Sequence, residues 1–442
     1  MTSLHEYISA ALNEHAVPDY KGTQCGYIIS DNGTVMRACG IQAPIGHTVT
    51  TVGDPETVCA EVVGFGEGCT ILAPLKSGIS LKPGSAIIYR EFAQRLSVDS
   101  ETRGQIIDGL ARPLSGRSEP HARYNTTIDP TIIMAQTKIS IEKPMTTGIR
   151  TIDALMPLGQ GQRMGLMSGS GVGKSSLLGM MARQAHADVI IVALIGERGR
   201  EIADFIEHKL PEENRHKSLI IAAPADQTPA HKIRAAFLAH SLALHHAQKK
   251  KRVFLIMDSL TRVAHASREI GISVGEPAIA RGYPPSTFSM LAKLIEAGGA
   301  FSGGGSITSL YTVLVDGDDP DDPILDSARS LLDGHIILNR SLAEQGHYPA
   351  IDIARSLSRI MDDICSKSQI SAARKFRSKY YKMNEVAELR SVGLYQAGND
   401  NEADMALAAK NDFINFLQQE EFCYESYETS LQKLYALSGD TP

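Results

Sequence analysis

The segment Ser168-Gly-Ser-Gly-Val-Gly-Lys174-Ser175-Ser176 constrains the chain more than any other. It follows the apolar run Met164–Met167, which reads as a strand, and opens a predicted helix over Ser175–His186. Alternating glycines between a strand and a helix, closed by a lysine and a hydroxyl residue, make a phosphate-binding P-loop. Gly169, Gly171 and Gly173 flank Ser170 and Val172 and free the backbone N–H groups to turn toward an anion. The helix start at Ser175 and Ser176 adds positive potential. Lys174 supplies a point charge to the β- and γ-phosphates, and Ser175 offers a hydroxyl to Mg2+. The strict pattern begins with glycine where Ser168 stands, a departure that removes no phosphate-contacting group.

Two carboxylates complete the expected chemistry. Val253-Phe-Leu-Ile-Met-Asp258 is an apolar strand ending in an acid, the place from which Asp258 would hold the shell of Mg2+. Val189–Ile195 is a second such strand, ending in Gly196-Glu197-Arg198. A carboxylate there lies at the carboxyl edge of a parallel sheet, where ligands bind in α/β folds. Glu197 is therefore the candidate general base for water. Its plain alternative is a solvated acid in the charged turn with Arg198, Arg200 and Glu201.

The surroundings fit a multidomain enzyme. The chain has 442 residues, about three domains' worth. Over residues 4–16, Leu4, Ile8, Ala11 and Leu12 fall at helical spacing, so residues 1–20 read as an amphipathic docking helix. Residues 21–93 hold short β-prone runs (Gly26–Ser30, Val35–Ala38, Ala60–Val63, Thr70–Ala73, Ala86–Tyr89) between turn signals, predicting a small β-barrel. Residues 94–365, including an entry linker, alternate compact apolar runs with helical stretches. One of these is Pro229–Gln248, with Thr228 as N-cap. Residues 366–442 are helical. The fold class is α/β: a P-loop core carrying an N-terminal barrel and a C-terminal helical domain.

Net charge is -6, which speaks against a dedicated nucleic-acid binder. Six cysteines without a Cys-x-x-Cys pair predict buried free thiols rather than a zinc or redox module. No secretory signal or membrane span is expected. His240, His245 and His246 read as a solvated helix face, and Ser302-Gly-Gly-Gly-Ser306 as a mobile loop.

A wider set of motifs has a specific resemblance. Beside the P-loop stand Gln160-Gly-Gln-Arg163, Ile195-Gly-Glu-Arg-Gly-Arg-Glu201, Met257-Asp-Ser-Leu-Thr-Arg262 and Arg281-Gly-Tyr-Pro-Pro-Ser286. Farther on come Leu332-Asp-Gly-His335, Gly346-His-Tyr-Pro-Ala-Ile-Asp352 and Ser356-Leu-Ser-Arg359. Together, from about residue 21 to about residue 420, the chain resembles the type III secretion and flagellar export ATPases, relatives of the catalytic β subunit of rotary ATP synthases. The wording of Ala222-Ala-Pro-Ala-Asp226 and Arg281–Ser286 favours the flagellar branch.

The resemblance implies a RecA-like core and a homohexamer with ATP, and its Mg2+, at subunit interfaces. It implies that Glu197 is catalytic, that Arg198 and Arg262 reach the γ-phosphate region, and that Arg359 is an arginine finger for the neighbouring site. Tyr348 matches an adenine-stacking aromatic. Implied partners are a dimeric stator-like regulator at the N-terminus, export chaperones with their cargo, and a membrane export gate. A coiled-coil stalk protein in the central channel is also implied, met by the loop bearing Asp316, Asp318, Asp319, Asp321 and Asp322. The implied location is the cytoplasm, peripheral at the inner membrane. Alternatives are a rotary ATP synthase catalytic subunit and a hexameric RNA translocase. The second would need exposed aromatics and basic residues in an RNA-binding N-terminal domain, whereas residues 21–93 offer Tyr27, Phe65 and Tyr89 with few basic residues.

Overall fold

The computed structural model describes residues 23–51, 58–78, 81–90, 96–98, 104–114, 124–126, 138–315, 319, 321–396, 398 and 400–440. The helix expected over residues 4–16, most of the entry linker, and Asp316 and Asp318 lie outside the described residues.

The N-terminal strands are β1 (Thr23–Asp31), β2 (Met36–Cys39), β3 (Thr48–Thr51), β4 (Val58–Gly66), β5 (Cys69–Pro74) and β6 (Ala86–Arg90). They close into a barrel in the order β1-β2-β5-β4-β3-β6. Alternation puts Ile28, Met36, Val49, Val62, Leu72 and Ile87 inside. The sequence pattern missed β3, where Val49 is flanked by threonines and the apolar signal is one residue long. The five described cysteines are free thiols as expected, but none is buried: Cys25, Cys39, Cys69 and Cys365 are half-buried and Cys423 is exposed.

The core sheet uses β7 (Ile106–Ile107), β8 (Arg163–Ser168), β9 (Val189–Ile195), β10 (Ser218–Ala223), β11 (Arg252–Asp258), β12 (Ser306–Leu314), β13 (Gly334–Ile337) and β14 (Leu357–Ser358). Its strand order is β14-β13-β8-β12-β11-β9-β10-β7. Every pairing along it is parallel except β13 with β14. Every residue of β9 is buried, because both faces of the sheet are covered. Ile190, Val192 and Leu194 join one apolar layer, while Ile191, Ala193 and Ile195 join the other.

The helices that matter below are α1 (Arg150–Leu155), α2 (Lys174–Gln184), α3 (Gly199–Asp204), α4 (Pro229–Gln248), α5 (Leu260–Ser273), α6 (Pro285–Glu296) and α7 (Pro323–Leu331). The C-terminal helices are α8 (Lys367–Ser391), α9 (Asn401–Ala408), α10 (Lys410–Leu417) and α11 (Tyr427–Ser438). One layer combines α1 and α2 with Phe376, Phe413, Phe416 and Leu434 of the C-terminal helices. The other combines α4, α5, α6 and α7. Thr228 caps α4 as expected, its hydroxyl accepting from the His231 N–H, with Pro229 beginning the helix.

His240 corrects the reading of α4 as a solvated histidine face, since it is fully buried against Tyr311 of β12 at 2.9 Å. The glycine stretch after Phe301 is a tight turn between short antiparallel strands. A Cβ on Gly305 would stand 1.9 Å from the Ala247 carbonyl oxygen, so only glycine fits under the end of α4. The barrel seats on the core through Ala73 and Leu75 against Ala230 and Ile270, and through Glu61 paired with Arg234 at 2.7 Å. Among the described residues, no helix is long and apolar enough to cross a membrane.

Candidate active site

The loop between β8 and α2 is glycine-rich because its backbone must be. Gly171 and Gly173 have φ of 77° and 86°, a region open to glycine and costly for other residues. Gly173 is the N-cap of α2, and Lys174 is the first residue of that helix. The parallel register sets Leu194 of β9 beside Asp258 of β11, so both acid-bearing strand ends finish at the same edge.

There the expected residues meet. The Lys174 Nζ donates to Asp258 Oδ1 at 2.6 Å and to Glu197 Oε1 at 3.2 Å. Both carboxylates are buried, Glu197 at 8% and Asp258 at 4% exposure. Asp258 Oδ1 also accepts from the Thr312 hydroxyl at 2.7 Å. Burial works against the Lys174 ammonium, but the charges of Asp258 and Glu197 outweigh it and hold its pKa above the ordinary value. Burial, with the Asp258 charge added, pushes the Glu197 carboxyl up against the opposing pull of Lys174. A carboxylate with raised proton affinity is better suited to take a proton from water.

Arg262 lies in the first turn of α5, exposed, beyond the N-cap Ser259. Its stem packs on Gly196, where an added Cβ would meet Arg262 Cβ at 2.7 Å. Arg198 is mostly exposed and pairs with Glu201 at 3.4 Å. Tyr348 is 46% exposed beside the P-loop, its ring edge 3.2 Å from where a Cβ on Gly173 would stand. Arg359 is not brought to this cluster. It is exposed at the far edge of the sheet after β14, with its guanidinium donating to the Arg329 carbonyl at 3.2 Å.

Residues 148–358 match the family described as ATP synthase alpha/beta family, nucleotide-binding domain. Residues 365–436 match the T3SS EscN ATPase C-terminal domain. A relative from Salmonella typhimurium named flagellum-specific ATP synthase is 44% identical over 422 residues, covering 92% of each chain. The assembled ATPase EscN of the enteropathogenic E. coli type III secretion system superposes with a TM-score of 0.86 at 38% identity, covering 93% of this chain and all of EscN. EscN in complex with its central stalk EscO gives 0.84 at 36%, with the same coverage.

The chain belongs to the flagellar and type III secretion ATPases. It is an ATP-hydrolysing enzyme of type III export, with the EscN-like fold of barrel, nucleotide-binding α/β domain and helical C-terminal region. The ATPase family generally works on ATP with Mg2+. The donors present fit that ion: the Ser175 hydroxyl and the Asp258 carboxylate are hard oxygen ligands, too few to form a cage by themselves. Mg2+ keeps waters and substrate phosphate oxygens in its shell, so few protein ligands suffice. Among the described residues, no cluster of three or more metal-binding His, Cys, Asp or Glu side chains is found.

Sequence reasoning missed Thr312. The only signal was a hydroxyl within the apolar run of β12, and only strand order shows that it faces Asp258. The acidic loop of the ATPase also has local roles. Asp319 pairs with Arg281 at 2.5 Å, and Asp322 caps α7 by accepting from Ile324 and Leu325 N–H at 2.9 Å.

Proposed function

We propose that the ATPase hydrolyses ATP at the interfaces of a homohexamer and thereby releases chaperone-bound cargo for type III export, in the flagellar branch. The observation that carries the reading is Lys174 joined to both Glu197 and Asp258 beside the P-loop, with Arg359 exposed at the opposite sheet edge. The backbone N–H groups of Gly169 through Ser176 hold the triphosphate. Incoming phosphate oxygens compete for Lys174, which frees Glu197 to accept a proton from the attacking water. The water oxygen bonds to the γ-phosphorus as the bond to ADP breaks. The Ser175 hydroxyl and the Asp258 carboxylate would hold Mg2+, which would supply charge screening for the phosphates. Arg198 and Arg262 flank the γ-phosphate, Tyr348 stacks on adenine, and Arg359 of one protomer completes the neighbour's site.

Residues 1–20 serve as docking segment, 21–93 as barrel, 94–365 as ATPase domain with its linker, and 366–442 as helical domain. EscN is solved with a central stalk, which supports a coiled-coil stalk partner for this chain. A stator-like regulator, export chaperones, cargo and a membrane gate complete the proposed assembly, at the cytoplasmic face of the inner membrane.

The test is phosphate release per protomer against protein concentration, with sizing in parallel. Specific activity should rise as a large oligomer forms. Glu197→Gln should assemble and be nearly inactive, and Arg359→Ala should lose most activity. Mixing the two should restore part of it, since mixed interfaces pair an intact Glu197 with an intact Arg359. Activity independent of concentration, with Arg359→Ala unimpaired, would show that the site is complete within one protomer.

A further inference from the structure

The residue after the Mg2+-binding serine is held from outside the P-loop. Lys209, the last residue of the π-helical segment Phe205–Lys209 that continues α3, donates through Nζ to the Ser176 hydroxyl at 3.0 Å. The same ammonium lies 2.9 Å from Glu421 Oε1 and 3.0 Å from Oε2. Lys209 and Glu421 side chains are only 20% and 25% exposed, so solvent screens the pair little. Glu421 lies on the connection between α10 and α11, far from Ser176 in sequence.

That connection is fastened to α2 along its length. Arg183 donates to the Glu421 carbonyl at 2.7 Å, and its guanidinium stands 4.5 Å over the Phe422 ring. Gln184 donates to the Cys423 carbonyl at 3.2 Å. The Gln419 N–H donates to the Tyr348 carbonyl at 3.0 Å, which ties the connection to the proposed adenine face as well. Lys209 itself lies directly on α2, since a Cβ on Gly179 would meet its Cβ at 2.8 Å.

We infer that Lys209 is a positioning residue for nucleotide binding: paired with Glu421, it fixes Ser176 and the first turn of α2, and so couples the α10–α11 connection to the phosphate loop. The inference rests on the reading that residues 168–176 bind the triphosphate. Lys209 touches no reacting atom. It acts by limiting the freedom of the helix start whose N–H groups receive phosphate, so its loss should appear in affinity more than in turnover.

The experiment uses the full-length protein and measures Kd for a fluorescent ADP analogue, together with KM and kcat for ATP. Lys209→Met should raise Kd and KM about three- to tenfold, and more than it lowers kcat. Lys209→Arg should recover most of the loss, because it keeps the charge and the donors. Glu421→Gln, which preserves shape and folding, should shift Kd in the same direction by a smaller factor. The double variant Lys209→Met with Glu421→Gln should be no weaker than Lys209→Met alone, since the two residues act through one contact. Unchanged Kd in both single variants, or fully additive losses in the double, would overturn the inference. A wild-type-like Kd in Lys174→Ala would instead overturn the P-loop reading itself, so the two failures are distinct.

Discussion

Gly196→Ala tests how the sheet edge builds the site. Gly196 follows β9 with φ of 72°, and its N–H donates to the Ala223 carbonyl at 2.7 Å. Placing a side chain in that left-handed region costs about 1–2 kcal/mol. The added methyl would also stand 2.7 Å from Arg262 Cβ and 2.9 Å from Cγ. Those atoms root the side chain in α5, so the clash cannot be relieved by a swing of the guanidinium. Overpacking of this kind costs about 1–3 kcal/mol. The sum is a loss of about 2–5 kcal/mol in stability. The neighbour Glu197, the proposed general base, shares the displaced backbone, and a shift near 1 Å in a group with that role lowers turnover about a hundredfold.

Gly199→Ala is the matched control: it lies in α3, and its Cβ would meet nothing within 4 Å. It should keep activity within about twofold. Steady-state phosphate release and urea unfolding, read as a lower midpoint at constant slope, measure both effects. If Gly196→Ala matched Gly199→Ala in midpoint and turnover, the close approach of Gly196 and Arg262 would not be what positions Glu197.

Two further perturbations address the barrel and the core. Arg234→Met strands Glu61, whose carboxyl burial already raises against the pull of Arg234. The pair is 10% and 17% exposed, so the variant should lose about 3–5 kcal/mol in urea unfolding. Adding Glu61→Leu should recover most of that. His240 is neutral in the fold because burial pushes its pKa from 6.5 down to about 4. Between these values the unfolded chain binds the extra proton. Stability is therefore fully present above pH 6.5 and falls as the pH drops toward 4. The gap is worth about 3 kcal/mol at most, and His240→Gln should flatten that part of the profile measured by urea midpoints.

The α/β core was legible where apolar runs are long. Val189–Ile195 and Val253–Met257 are continuous because both faces of their strands are covered, and they emerged with nearly their predicted bounds. Short strands left no such trace. Thr48–Thr51 shows a single apolar residue, and Ile106–Ile107 is too brief to have a period, yet each completes a sheet through backbone hydrogen bonds that any side chain permits. His240 was misread for a related reason: histidine is polar in composition, and only the packing of α4 on β12 supplies the hydroxyl that lets it sit inside.

The phosphate loop could be read from the chain because what it needs is local. Glycine backbone freedom, a helix start and an adjacent lysine are all specified within nine residues. The rest of the site is a matter of strand order. Lys174 meets Glu197 and Asp258 from 23 and 84 residues away, and Thr312 joins Asp258 from 54 residues away, because β9 and β12 flank β11 in the sheet. Residue types determined which chemistry was available. The pairing of buried strands determined which of those groups share one low-dielectric edge, where a single lysine is held by two carboxylates.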